Sequence, residues 1–267
     1  MTKMDSQSEK KTFFLLQRKW VIRIVSIVAF LIIWQSVGQN IDPLLGISTP
    51  IGVATSFVNL IENGQLPTQL ASTMTTFGLG FLISVILGIP IGAAMARSKI
   101  TENIIDPYVN ALYATPYVAL VPLFIIWLGI GFVSRLAVVI LSVIFVIIIN
   151  TFVGFKYVNK TLVETGRSFG LSGLPLYSKV ILPATFPYIV AGLRLGIGRG
   201  LIGAIVAEMF LQLVGLGFLI KFYASLFQIG NVLAIVLTIS VIGLALTEIL
   251  KYVESNVSKW RVTATGG

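Results

Sequence analysis

The stretch Glu164-Thr165-Gly166-Arg167-Ser168-Phe169-Gly170, with Val180-Ile181-Leu182-Pro183 beginning ten residues further on, decides how this chain is read. It is a polar, charged island between long apolar runs. Outward from it, charges partition the sequence: uncharged runs lie between Arg23 and Asp42, Glu62 and Arg97, Asp106 and Arg135, Arg135 and Lys156, and Lys221 and Glu248. A helix rises about 1.5 Å per residue, so roughly 20 apolar residues cross a bilayer core. Five spans follow, near 21–39, 69–95, 106–128, 134–154 and 231–251. A sixth covers Pro187–Phe210 despite Arg194, Arg199 and Glu208, because Pro183 and Pro187 suit a helix start and Gly215-Leu216-Gly217 lies past its end.

Composition points the same way. The chain is 56% hydrophobic and only 11% charged, with a mean hydropathy of +0.96. Soluble domains carry about a quarter charged residues, so lipid is the expected solvent. The absence of Cys and His excludes disulfides, thiol nucleophiles and His general bases. No carboxylate cluster suggests a metal site, and no catalytic residues are expected. The run after Arg23 is long for a cleaved signal sequence and carries Trp34 at its far end, which reads as a retained span.

Basic residues fix the expected orientation. Lys3, Lys10, Lys11, Arg18, Lys19 and Arg23 precede the first span, and Arg97 and Lys99 follow the second. Lys156, Lys160, Arg167 and Lys179 lie in the 155–186 loop, and Lys251, Lys259 and Arg261 in the tail. Six spans put all of these on one face, the cytoplasmic one, with both termini inside. The same argument accounts for the net charge of +9 without nucleic acid. The domain reading is a cytoplasmic segment 1–20, a transmembrane domain 21–254 and a cytoplasmic tail 255–267. Ile51–Ile61, apolar at Ile51, Ala54, Phe57, Val58 and Ile61, predicts a helix on the outer surface. Thr12–Trp20 is aromatic and basic and suits the inner interface.

The opening stretch resembles the cytoplasmic "EAA" loop of ABC-importer permeases: E-A-A, three residues, G, nine residues, an aliphatic, one residue, L-P. Glu164, Gly170, Val180, Leu182 and Pro183 fall in that register, with Thr165-Gly166 replacing the two alanines. Ala114-Thr115-Pro116-Tyr117-Val118-Ala119-Leu120-Val121-Pro122-Leu123, then Trp127-Leu128-Gly129-Ile130-Gly131, is similar to the third span of nitrate/sulfonate/taurine-type permeases. So is Ala207-Glu208 followed by Gly215-Leu216-Gly217. The likeness covers roughly residues 70–250. It implies an all-α integral membrane fold of the type I ABC-importer permease, with about six spans and a cytoplasmic coupling helix, in a bacterial inner membrane. It also implies a second permease copy, two cytoplasmic ABC ATPase subunits carrying the ATP and Mg, and an extracytoplasmic solute-binding protein. The chain itself would bind no cofactor and hydrolyse nothing, in keeping with its lack of a phosphate-binding G-x-x-x-x-G-K-[ST].

Within the 155–186 loop, Lys160–Phe169 is expected to extend the fourth span. Gly170 would end that helix in the left-handed conformation, and Leu171–Val180 would form a short transverse helix. Leu171, Leu174, Leu176, Tyr177 and Val180 would supply apolar contacts to a partner. Glu164 and Arg167 have the spacing of an ion pair, and Gly166 should loosen its helix by up to about 1 kcal/mol. A plain cytoplasmic turn would look similar in local chemistry.

Inside the membrane, Arg194 suits snorkelling to the inner interface. Arg199, Glu208, Pro116 and Pro122 are candidate pathway or gate residues, the two prolines because they are expected to kink span three and free carbonyls to line a pathway. The glycines at Gly88 and Gly92, and at Gly192, Gly196 and Gly200, suit close helix packing or a moving contact. The expected function is translocation of a small solute, an anion such as nitrate, a sulfonate or taurine, or bicarbonate. The alternatives are a pyrimidine- or riboflavin-type heterocycle carried by the same kind of permease, an ion-coupled secondary carrier using Arg199 and Glu208, and an intramembrane enzyme.

Overall fold

The computed structural model describes residues 4–40, 48–211 and 214–257, with side chains described for 21–40, 48–211 and 214–255. Asp42, which bounds the first uncharged run, and the basic tail at Lys259 and Arg261 lie outside these residues. Among the described residues every regular element is helical: α1 Met4–Gln39, α2 Pro50–Glu62, α3 Gln65–Arg97, α4 Lys99–Ala114, α5 Tyr117–Leu128 and α6 Phe132–Lys156, then α7 Lys160–Ser168, α8 Gly173–Leu176, a π turn Tyr177–Ile181, α9 Leu182–Leu211, α10 Leu216–Ser225 and α11 Ile229–Val257. Among the described residues five helices are long and apolar enough to cross a membrane, or up to six if α4 and α5 count as one broken span.

The chain forms two compact units. One comprises residues 64–222 and 235–267. Its centre is α6, packed between α3 and α9. Val138, Val139, Val143 and Ile147 of α6 are completely buried. Such close approach of three long helices needs small residues at the contacts, since lipid supplies little hydrophobic drive to press helices together. A Cβ on Gly92 would lie 2.6 Å from the Ile148 carbonyl oxygen, and one on Gly200 would lie 2.9 Å from both Phe77 and Val143. The Gly88/Gly92 and Gly192/Gly196/Gly200 stripes are therefore filled by this chain's own helices. Thr75, Thr76 and Ser84 satisfy their hydroxyls by bonding back to carbonyls four residues earlier.

The other unit comprises residues 1–63 and 223–234. Here Thr49 caps α2, its hydroxyl accepting from Gly52 N–H, and Trp34 Nε1 donates to the Ser48 carbonyl at 2.8 Å. A helix forms over 50–62, where the sequence predicts one, and it buries Val53 and Leu60. The stripe of Ile51, Ala54, Phe57, Val58 and Ile61 is exposed. α1 is one unbroken helix through residues 12–20 into the first span, without a separate interfacial segment.

Three sequence-based boundaries shift. The 106–128 span is two helices bent by 99° at Thr115-Pro116. Pro116 forces this break, because residue 115 must leave the α region (ψ 130°), whereas Pro122 sits inside α5 without ending it. The fourth span stops at Lys156 and does not run on into 160–169, because Asn159 caps a new helix by accepting from Thr161 N–H at 2.9 Å. The fifth span begins well before Pro183 and Pro187: the chain is helical from Gly173 to Leu211. Both prolines are accommodated inside it. The π turn immediately precedes Pro183, whose ring and missing N–H exclude the regular bond to residue 179, and a wider turn removes that conflict.

Candidate functional site: a braced hairpin and a buried carboxylate

α7 ends in a complete Schellman cap. Gly170 takes φ +79°, its N–H donates to the Arg167 carbonyl at 2.8 Å, and Leu171 N–H reaches back to the Gly166 carbonyl at 3.1 Å. Gly173, at φ +56°, makes the second corner. The chain thereby doubles back, and α7 packs against α8 and the π turn.

The contact that closes this hairpin is Gly166. A Cβ there would lie 2.9 Å from Leu176 Cδ1 and 3.1 Å from Val180 Cγ2. The glycine expected to loosen the helix instead lets two segments touch. Leu176 is buried by this contact, so it does not face outward, and Val180 is half-buried. Leu171, Val180 and Pro183 line a cleft of about 680 Å³ with Leu162 and Phe169. Tyr177 lies under the Arg97 guanidinium, 5.6 Å from its ring centre, beside a second groove of about 400 Å³ that Leu174 and Phe155 also line. Leu174 is 81% exposed and Phe169 82%. Phe169 is a candidate that sequence reasoning missed; its place beside a helix-ending glycine was the available signal. Glu164 is exposed, and among the described residues it forms no ion pair with Arg167.

A second polar cluster sits at the other end of α9. Glu208 is fully buried. One carboxylate oxygen accepts from Thr73 Oγ1 at 2.9 Å and from Gly217 N–H at 3.0 Å. The other lies 3.8 Å from Arg135 Nη1. Thr73 also accepts from Leu216 N–H at 2.9 Å, and Gln69 accepts from Gly215 N–H at 2.6 Å. Gly215, at φ +101°, has no room for a Cβ because the Glu208 carboxylate occupies that space. The spacing from Ala207-Glu208 to Gly215-Leu216-Gly217 is thus explained: the carboxylate, with Gln69 and Thr73, holds the following loop back against α3 and α9. In this conformation Glu208 faces protein, not an open passage. Arg135, which the sequence showed only as the boundary between two uncharged runs, is buried as its counter-ion and also donates to Ser72 at 3.2 Å.

Of the other membrane charges, Arg194 pairs with Glu254 at 2.5 Å, so it is held by a partner on α11 as well as by its length. Arg199 donates to the Tyr113 hydroxyl at 3.0 Å. No group of three or more His, Cys, Asp or Glu residues that could hold a metal occurs among the described residues.

Comparison with known proteins gives a consistent result. The profile of the family described as "Binding-protein-dependent transport system inner membrane component" matches residues 84–259. The putative aliphatic sulfonates transport permease protein SsuC of Bacillus subtilis (strain 168) is 32% identical over 248 residues, covering 92% of this chain and 90% of that one. The taurine transport system permease protein TauC of Escherichia coli (strain K12) is 28% identical over 252 residues, covering 92% and 91%. Among solved structures, an amino acid ABC transporter chain superposes with a TM-score of 0.58 at 18% identity, over 76% of this chain and 97% of that one.

Proposed function

The chain belongs to the family of binding-protein-dependent transport-system inner membrane components, multi-pass permease subunits of ABC importers, and on that premise we propose that it carries a sulfonate-type organic anion inward under the drive of a separate ATPase. The observation that carries the coupling half is the exposed pair Phe169 and Leu174 on a hairpin braced by Gly166. Two large apolar side chains held rigidly in the open suit a groove on a partner. The solute half is supported by the sulfonate and taurine relatives.

The mechanism follows from continuity. Two ATPase subunits bind ATP and Mg, close on each other and shift the hairpins they grip. The helix from Gly173 to Leu211 is unbroken, so displacement of Leu174 passes into α9. Through the α9–α6–α3 packing it tilts the spans of this chain against those of a second copy. An extracytoplasmic binding protein delivers solute to the resulting cavity, and hydrolysis resets it. No residue of this chain takes part in covalent chemistry, and it needs no cofactor of its own. The inner membrane is the site of action, and the hairpin and both termini are cytoplasmic by their basic residues.

The chain contains no cysteine, which makes the test clean. Leu174→Cys in membrane vesicles should react with an impermeant maleimide only when the cytoplasmic face is outward. Phe169→Asp with Leu174→Asp should abolish co-purification of the ATPase and uptake of labelled taurine and ethanesulfonate. Labelling from the external face, or undiminished ATPase capture, would refute the coupling reading.

A further inference from the structure

Of the three arginines on α6 and α9, two have acidic partners: Arg135 with Glu208 at 3.8 Å and Arg194 with Glu254 at 2.5 Å. Arg199 has none. Among the described residues no carboxylate lies within ion-pair distance of it. It sits between the other charges of α9, five residues past Arg194 and nine before Glu208, roughly 7 Å and 13 Å along the axis. An uncompensated cation at that depth is costly and marks a path for ions or substrate.

Its surroundings are suited to an oxyanion. The bend at Thr115-Pro116 sets Tyr113, in the last turn of α4, across the guanidinium, whose central carbon is 4.5 Å from the ring centre. Arg199 Nη2 donates to the Tyr113 hydroxyl oxygen. That leaves the hydroxyl proton free to donate onward. It also engages only one of the five guanidinium N–H groups. A tyrosine ring is attractive to the cation but does not neutralise it. A gap of only about 10 Å³ adjoins the pair, closed in by Tyr117, Leu141, Ser142 and Phe145. In this conformation the aromatic ring covers the cation.

We propose that Arg199 and Tyr113 form the anion-recognition element of the translocation pathway, uncovered when the broken span α4–α5 moves relative to α9. This rests on the sulfonate-import reading above. The planar fork of Arg199 takes two oxygens of a sulfonate or nitrate in parallel hydrogen bonds, and the Tyr113 hydroxyl donates to a further oxygen. The ring keeps the empty fork covered between transport cycles.

The test uses the complete transporter, with its ATPase and binding protein, in liposomes. Arg199→Gln should assemble with the ATPase in wild-type proportion yet lose taurine and ethanesulfonate uptake by about tenfold or more, the usual scale for a charged hydrogen-bonded contact. Arg199→Lys should recover most of that loss, because it restores charge without the fork. Tyr113→Phe should lower uptake by a smaller factor. Wild-type uptake by Arg199→Gln would overturn the assignment. Loss of assembly in both Arg199→Gln and Arg199→Lys would overturn it too, in favour of a structural tie to another subunit. A wild-type complex that hydrolyses ATP but moves only an uncharged pyrimidine would instead overturn the solute reading on which the proposal stands.

Discussion

Gly166 and Val180 approach so closely that a methyl group on residue 166 would lie 3.1 Å from Val180 Cγ2 and 2.9 Å from Leu176 Cδ1. Both neighbours are side-chain ends, and a Leu tip can move by a few tenths of an ångström. Gly166→Ala should therefore be tolerated, with the shift offset by up to about 1 kcal/mol of gained helix propensity. Gly166→Leu cannot be absorbed that way and should wedge α7 off the π turn. The expected readout is ATP hydrolysis stimulated by loaded binding protein in the assembled transporter. Ala should stay near the wild-type rate, and Leu should fall toward the unstimulated rate while the membrane bundle keeps its melting temperature. Equal behaviour of the two variants would mean that the hairpin contact does not matter.

The buried carboxylate allows a sharper stability experiment. Glu208→Ala leaves Arg135, Thr73 Oγ1 and Gly217 N–H facing an empty space inside the bundle. Removing one partner of a buried ion pair typically costs about 3–5 kcal/mol. Glu208→Gln keeps the shape and an acceptor oxygen for Thr73 and Gly217, and loses only the charge opposite Arg135. Thermal unfolding in detergent should rank wild type above Gln and Gln well above Ala. If Ala and Gln melted together, the hydrogen bonds that fold the Gly215-Leu216-Gly217 loop back would contribute little, and the pair itself would dominate.

These two sites also mark what the sequence made legible. Span number, charge asymmetry, the Gly170 turn and helix α2 could be read because each depends on local pattern: apolar run length, a glycine at positive φ, helical spacing. The role of Gly166 could not, because it is set by Val180, which only the returning chain brings near. The ion pair of Arg135 could not be read for the same reason; its partner lies 73 residues away. Pro183 misled in a different way. A proline most often opens a helix, and here a π turn absorbs it inside one. Helix α2 forms where its apolar spacing predicts a helix, yet the apolar stripe that gave the signal is exposed and Val53 and Leu60 are buried instead. In a membrane protein an apolar face can seek lipid as readily as a core, and periodicity alone does not choose between them.

Gly92 and Gly78 lie on one helix and should respond oppositely to the same change. A Cβ on Gly92 meets the Ile148 carbonyl oxygen at 2.6 Å and Thr151 Cβ at 2.8 Å, whereas nothing lies within 4 Å of one on Gly78. A backbone carbonyl cannot swing aside, so Gly92→Ala must part α3 from α6 and should lower the melting temperature by several degrees, as expected of about 1–3 kcal/mol of overpacking. Gly78→Ala should leave it unchanged or raise it slightly, through helix propensity. A melt of the two single variants side by side decides the matter. A destabilised Gly78→Ala would show that this face is covered by another subunit.

Phe227 is the one non-glycine residue with positive φ among the described residues, at φ 58°. It occupies the position after α10 that glycine usually fills: Gln228 N–H bonds back to the Tyr223 carbonyl at 2.9 Å, and Phe227 N–H to that of Ala224 at 3.1 Å. An aromatic residue in the left-handed region carries a strain of about 1–2 kcal/mol. Its ring is 66% exposed, so packing inside this chain does not repay much of that. Phe227→Gly should therefore raise the melting temperature of the purified permease. Strain of this kind persists where a side chain is needed for something else. The same variant should therefore transport more slowly than wild type when the external binding protein is limiting. A variant that is more stable and equally fast at every binding-protein concentration would leave the ring without a task. A less stable one would show that the ring packs against a surface this chain does not itself supply.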